Sequence, residues 1–112
     1  DTLQLTGLVI PDVPQLQLFG LYFRSNETQD GRPVYILENT VSNPYKGKLY
    51  HITTPMKNEW VISETVGEYD NLSLRIHDDA IFPELIHEAA LSEGFYNNTW
   101  MGIPSLKFNC FR

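Results

Sequence analysis

Leu49-Tyr50-His51-Ile52-Thr53, followed after a short interruption at Pro55 by Glu59-Trp60-Val61-Ile62-Ser63, is the stretch that decides the fold of this chain. Both runs are short and dominated by β-branched and aromatic residues, the composition of a pleated, half-buried strand. The same pattern continues outward. On the N-terminal side, Val34-Tyr35-Ile36-Leu37-Glu38 forms a third run, preceded by a Ser25 to Gly31 turn cluster in which Asp30-Gly31 is the strongest local signal. Leu18 to Arg24 precedes that cluster, and Leu3 to Ile10 reads as a strand stopped by Pro11. A loop from Asn39 to Gly47 carries Pro44 and Gly47. On the C-terminal side, Leu72 to Ile76 is a further strand, and Ser105 to Phe111 alternates and closes the sheet.

Runs spaced by roughly 10–13 residues, with turn residues between them, predict an all-β fold. The expected architecture is a small antiparallel meander, barrel-like or sandwich domain. One segment reads two ways. Pro83-Glu84-Leu85-Ile86-His87-Glu88-Ala89-Ala90-Leu91 has Pro where a helix starts and apolar residues at 85, 86, 89 and 90, which allows one short helix near 83–91 ended by Gly94. The competing reading is a strand from His87 to Leu91 that turns at Glu93-Gly94 and Asn97-Asn98 into Thr99-Trp100-Met101. The expected core is Leu21, Phe23, Val34, Ile36, Ile52, Trp60, Ile62, Leu74, Leu106 and Phe108.

With 112 residues the chain has the length of one domain, and 1–112 reads as a single β-rich module. It starts at Asp1 rather than Met, which suggests a segment of a longer protein or of an assembly. Eight Lys and Arg stand against 14 Asp and Glu, a net charge of −6, and the cations are scattered. No basic run is present to neutralise phosphates, so neither nucleic acid nor an anionic membrane surface is an expected partner. No apolar run reaches the roughly 20 residues of a membrane span, so membrane insertion is not expected either.

Three sequons, Asn26-Glu27-Thr28, Asn71-Leu72-Ser73 and Asn97-Asn98-Thr99, exceed what chance supplies in a chain this short. They predict glycans on Asn26, Asn71 and Asn97 and a secreted or cell-surface location. The single Cys110 excludes an internal disulfide and a thiolate metal centre, leaving an intermolecular bridge as its functional reading.

Gly20-x-Tyr22, Gly31-Arg32-Pro33-Val34-Tyr35, Leu49-Tyr50, Trp60-Val61-Ile62-Ser63, Asp78-Asp79-Ala80-x-x-Pro83-Glu84-x-Ile86 and Trp100-x-x-x-Pro104-Ser105-Leu106-Lys107-x-x-Cys110 follow one another in order. In that order they resemble a β-rich repeat module of large secreted or membrane-anchored proteins of marine invertebrates and protists. The resemblance covers roughly residues 3 to 110. It implies a structural or adhesive extracellular module without assigned catalysis. Such modules often carry a second Cys near the Trp-Val-Ile strand; this chain lacks it.

The chemistry of the residues agrees with a non-catalytic role. No Gly-x-Ser-x-Gly elbow frames a nucleophile, and Cys110 has no His near it in sequence, so no catalytic residue and no cofactor is expected. His51, His77 and His87 lack the i, i+4 spacing of a helical zinc site, and no calcium loop occurs. Asp70, Asp78 and Asp79 remain weak calcium candidates, as does Glu68. Tyr45, Tyr69, Tyr96 and Trp100 fall in or near loops and are the candidate contacts for a carbohydrate, the alternative function. Assembly is the preferred reading. Leu3, Leu5, Leu8 and Ile10 lie on an uncharged first strand suited to edge pairing with like copies or adjacent extracellular domains.

Overall fold

The computed structural model describes residues 2–6, 18–38, 45–70, 72–87, 89–96, 98–103 and 106–110. Among them are nine strands: β1 (Thr2–Thr6), β2 (Gly20–Gln29), β3 (Arg32–Leu37), β4 (Lys48–Thr54), β5 (Lys57–Ser63), β6 (Leu74–His77), β7 (Ser92–Tyr96), β8 (Thr99–Gly102) and β9 (Lys107–Cys110). They build one antiparallel sheet in the order β8-β7-β6-β5-β4-β3-β2-β1-β9, curled into a half-barrel. The order is a meander from β1 to β8, after which β9 returns to pair with β1. Only residues 103–106 join Gly102 of β8 to Lys107 of β9, so the two margins of the sheet lie within about 18 Å of each other. That covalent tie forces the curl.

Turn chemistry sets the register. Asp30 and Gly31 both take positive φ, 54° and 72°, the two-residue hairpin turn whose twist matches its strands. Asn98 takes φ 61° at the corresponding place between β7 and β8. β2 is longer than the sequence predicts: Ser25 to Gln29 continues the strand past an irregularity between Arg24 and Thr28. Ser25 Oγ donates to the Val34 carbonyl at 2.7 Å and accepts from the Glu27 amide at 3.1 Å, which gives the bulged backbone its partners. Both readings of the 83–91 segment are met in part: the helix starts at Pro83 but is short, and the strand that turns into Thr99–Gly102 starts later than His87. Pro83–Leu85 makes one 3-10 turn, and the strand begins only at Ser92.

The inner face of the sheet buries Leu3, Leu5, Tyr22, Tyr35, Leu37, Leu49, Trp60, Ile62, Leu74, Ile76 and Phe108. A smaller cluster on the outer face unites Val34, Tyr50 and Val61, with Ile36, Ile52 and Val66 packed against it. Of the ten expected core residues, Val34, Trp60, Ile62, Leu74 and Phe108 are buried, and the other five are corrected. Phe23 is 42 % exposed, Leu21 is half-buried, and Ile36 and Ile52 belong to the outer cluster, while Tyr22 and Tyr35 turn inward; Leu106 is half-buried against the inner cluster. On a strand of period two, a one-residue slip moves every side chain to the other face. Tyr22 pays for burial with a hydrogen bond from its hydroxyl to the Leu18 carbonyl at 2.7 Å.

The first strand is corrected too. β1 pairs with β2 on one side and β9 on the other, and Leu3 and Leu5 are buried in the core, so the described part of this strand presents no open edge. Leu8 and Ile10 lie outside the described residues. Among the described residues no helix is long and apolar enough to cross a membrane.

Candidate functional site

The outer face of β5 to β8 carries a connected polar and aromatic cluster. It arises from alternation: Lys57 and Glu59 on β5, Arg75 and His77 on β6, Glu93 and Phe95 on β7 and Trp100 on β8 share one side of the pleat. Register brings them together. Glu59 lies opposite His77, Arg75 opposite Glu93, and Phe95 opposite Trp100. Tyr69 closes the cluster from above, on the 64–70 turn. That turn is pinned by Tyr50, whose hydroxyl bonds the Ser63 hydroxyl at 2.6 Å and accepts from the Gly67 amide at 3.0 Å.

Glu59 is fully buried under Tyr69, whose hydroxyl donates to Glu59 Oε1. Its other oxygen, Oε2, has no hydrogen bond among the described residues and faces His77 Nδ1 at 3.7 Å. The second nitrogen of His77, Nε2, lies 2.8 Å from Glu93 Oε1, and Arg75 Nε donates to the same oxygen at 2.9 Å. The hydrogen bond from His77 holds the Glu93 carboxyl below its usual range, aided by Arg75 and opposed by partial burial. Burial pushes the Tyr69 phenol up to about 12, and the Glu59 carboxylate that accepts its proton adds to the shift. Arg75 also lies over the Trp100 ring, its guanidinium carbon 3.8 Å from the centroid. Tyr69 and Phe95 complete the aromatic group, with centroids 4.9 and 5.0 Å from that of Trp100.

Of the four aromatic residues expected to contact sugar, the structure brings two together, Tyr69 and Trp100. Tyr45 is 7 % exposed, and its hydroxyl donates to the Asp70 carboxylate at 2.9 Å, so it is a core residue and not a surface contact. Tyr96 lies on β7, with its side chain outside the description. Of the candidate calcium ligands, Asp70 and Asp78 use their carboxylates to hold backbone amides. Asp70 accepts from the amides of Glu64 and Leu72 at 3.2 and 3.0 Å. Asp78 accepts from those of Ala80 and His87 at 2.7 and 3.0 Å. The Asp79 carbonyl accepts from Arg32 at 2.9 Å. Among the described residues no three His, Cys, Asp or Glu side chains gather as metal ligands.

Asn26 is exposed on the irregular part of β2; Asn71 and Asn97 fall outside the described residues. Cys110 is exposed on β9, its thiol donating to Glu84 Oε2 at 3.4 Å.

β8 is one margin of the sheet. Phe95 donates its amide to the Ser73 carbonyl on the β6 side, and Ser92 accepts from the Ile103 amide on the β8 side. Antiparallel ladders alternate, so the backbone N–H and C=O of Trp100 and Gly102 point away from β7. No described strand pairs with them. The strand Thr99-Trp100-Met101-Gly102 has no charge, and Met101 is 37 % exposed. Comparison with known proteins finds no match: no family model, no curated protein and no solved structure.

Proposed function

We propose that this chain is a non-catalytic extracellular structural or adhesion module that associates with like copies or adjacent extracellular domains, and that β8 is its contact edge. The observation that carries this reading is the uncharged β8 margin, with the N–H and C=O of both Trp100 and Gly102 turned outward. Natural sheets blunt a free edge with Lys, Pro, a bulge or a covering segment, and β8 has none of these among the described residues. The opposite margin is treated differently: β9 packs against the Pro83–Leu85 turn. Strand addition to β8 satisfies the outward backbone groups and extends the sheet into a partner. The sequons, with Asn26 exposed, support a secreted or cell-surface setting.

Sedimentation equilibrium tests the reading. The wild-type chain associates with rising concentration, and both Met101→Lys, which adds an edge charge, and Gly102→Pro, which removes an outward donor, stay monomeric. A wild type that remains monomeric, or variants that associate equally well, would reject it.

The contact of Tyr69 with Trp100 favours a second reading, carbohydrate binding on the outer face. Arg75 lies over the indole, and Tyr69 beside it adds a second aromatic ring to the half-exposed Trp100. Glycan-array binding abolished by Trp100→Ala, with the fold retained, is the result that reading requires.

A further inference from the structure

A cavity of about 340 Å³ lies between the 83–86 turn and β9. Its walls join strands far apart in the sheet order, Ile76 of β6 and Phe108 of β9, both members of the inner core cluster, so it opens on the inner side of the half-barrel. Pro83, Ile86 and Leu106 add apolar walls, and Glu84 and Lys107 polar ones. Barrel mouths of this volume are a common place for small ligands.

The cavity also holds one polar anomaly. Glu84 lines it, and Glu84 Oε1 is buried without a hydrogen-bond partner among the described residues, whereas Oε2 accepts from the Cys110 thiol. A buried carboxylate oxygen left unpaired is costly and calls for a donor, preferably a cation. Lys107 also lines the space, but its side chain is exposed and forms no ion pair with Glu84 among the described residues. The turn that carries Glu84 is firmly placed. Trp60 Nε1 and Arg32 Nε both donate to the Ala80 carbonyl, at 2.9 and 3.1 Å, and Asp78 clasps the His87 amide.

We infer that this cavity binds a small primary amine with an apolar tail, its ammonium on Glu84 Oε1 and its tail between Ile76, Leu106 and Phe108. The site is separate from the β8 edge and from the outer-face cluster. Its recognition logic is charge complementarity at one buried atom beside an apolar wall.

The test uses n-hexylammonium, hexanol and hexanoate as probes, followed by heteronuclear NMR of the whole chain. Hexylammonium shifts signals of Ile76, Ile86 and Leu106 saturably, hexanol binds at least tenfold more weakly, and hexanoate weakest. Glu84→Gln, which keeps the shape and removes the charge, weakens hexylammonium at least tenfold while leaving hexanol affinity unchanged. The inference is overturned if no probe shifts those signals in the wild type, if hexanoate binds as well as hexylammonium, or if a folded Glu84→Gln binds the amine undiminished.

Discussion

The indole of Trp60 donates a 2.9 Å hydrogen bond to the carbonyl of Ala80, tying the inner core of the sheet to the segment that leads into the Pro83–Leu85 turn. The ring is fully buried and also meets His51 edge-on at 5.3 Å. One side chain therefore serves both the apolar core and the placement of the segment against β9.

From this it follows that Trp60→Ala costs about 3–5 kcal/mol, the range for a large aromatic truncated in a core. Trp60→Phe restores most of the apolar volume but not the donor, and leaves about 0.5–1.5 kcal/mol of loss for one hydrogen bond, since Arg32 Nε still donates to the Ala80 carbonyl. Urea unfolding followed by circular dichroism separates the two. Equal stabilities for Trp60→Phe and the wild type would mean that the hydrogen bond contributes nothing.

His51 makes stability depend on pH. Its Nε2 lies 3.1 Å from the Asp78 carbonyl, which only accepts, so Nε2 carries the proton and Nδ1 accepts from the Thr53 hydroxyl. Burial lowers the pKa of this imidazole, and the Arg32 charge reinforces the shift, against the opposing pull of the Asp78 carbonyl and nearby carboxylates. The unfolded chain then binds the proton more readily than the folded one. Stability falls as pH drops through the ordinary imidazole range. The unfolding midpoint should decrease between pH 7 and 5 in the wild type and decrease less in His51→Gln. Identical pH profiles would contradict the assignment.

Tyr69 and Glu59 are coupled. Tyr69→Phe removes the hydrogen bond that the fully buried Glu59 carboxylate accepts from the phenol, its sole one among the described residues, at a cost of about 1–3 kcal/mol. Combining it with Glu59→Leu recovers much of that loss, because neither polar partner is then left stranded. A double-mutant cycle by denaturant unfolding measures the coupling, and strict additivity would mean the pair is not linked.

Glycosylation gives the compartment its own test. Peptides containing Asn26 from native-source material should be heavier than their bare sequence and lose the excess on N-glycosidase treatment. Bare masses for the peptides that carry Asn26, Asn71 and Asn97 remove the support that the sequons lend to a secreted setting.

The all-β meander was legible because β-branched and aromatic runs at short spacing leave little room for helices, and because Asp30-Gly31 names its own hairpin. The sidedness was not. In Val34-Tyr35-Ile36-Leu37 all four residues are apolar, so alternation gives no parity, and only the packed sheet shows Tyr35 and Leu37 facing in. The place of β1 between β2 and β9 was hidden for a different reason: nothing local in Leu3 to Thr6 records that a strand a hundred residues later returns to it. Within the site, Tyr69 and Trp100 stood out as loop aromatics. Glu59 and Glu93 did not, although charges alternating with apolar residues on Glu59, Arg75 and His77 mark one polar face. Tyr45 misled because its loop position says nothing of the Asp70 carboxylate waiting for its hydroxyl.

Backbone exchange at the β8 margin tests the central claim most directly. Amide hydrogen exchange of Trp100 and Gly102, whose N–H groups point away from β7, should slow as protein concentration rises, while Met101, already bonded toward β7, changes little. Exchange at Trp100 and Gly102 that stays fast and independent of concentration would contradict assembly through this edge.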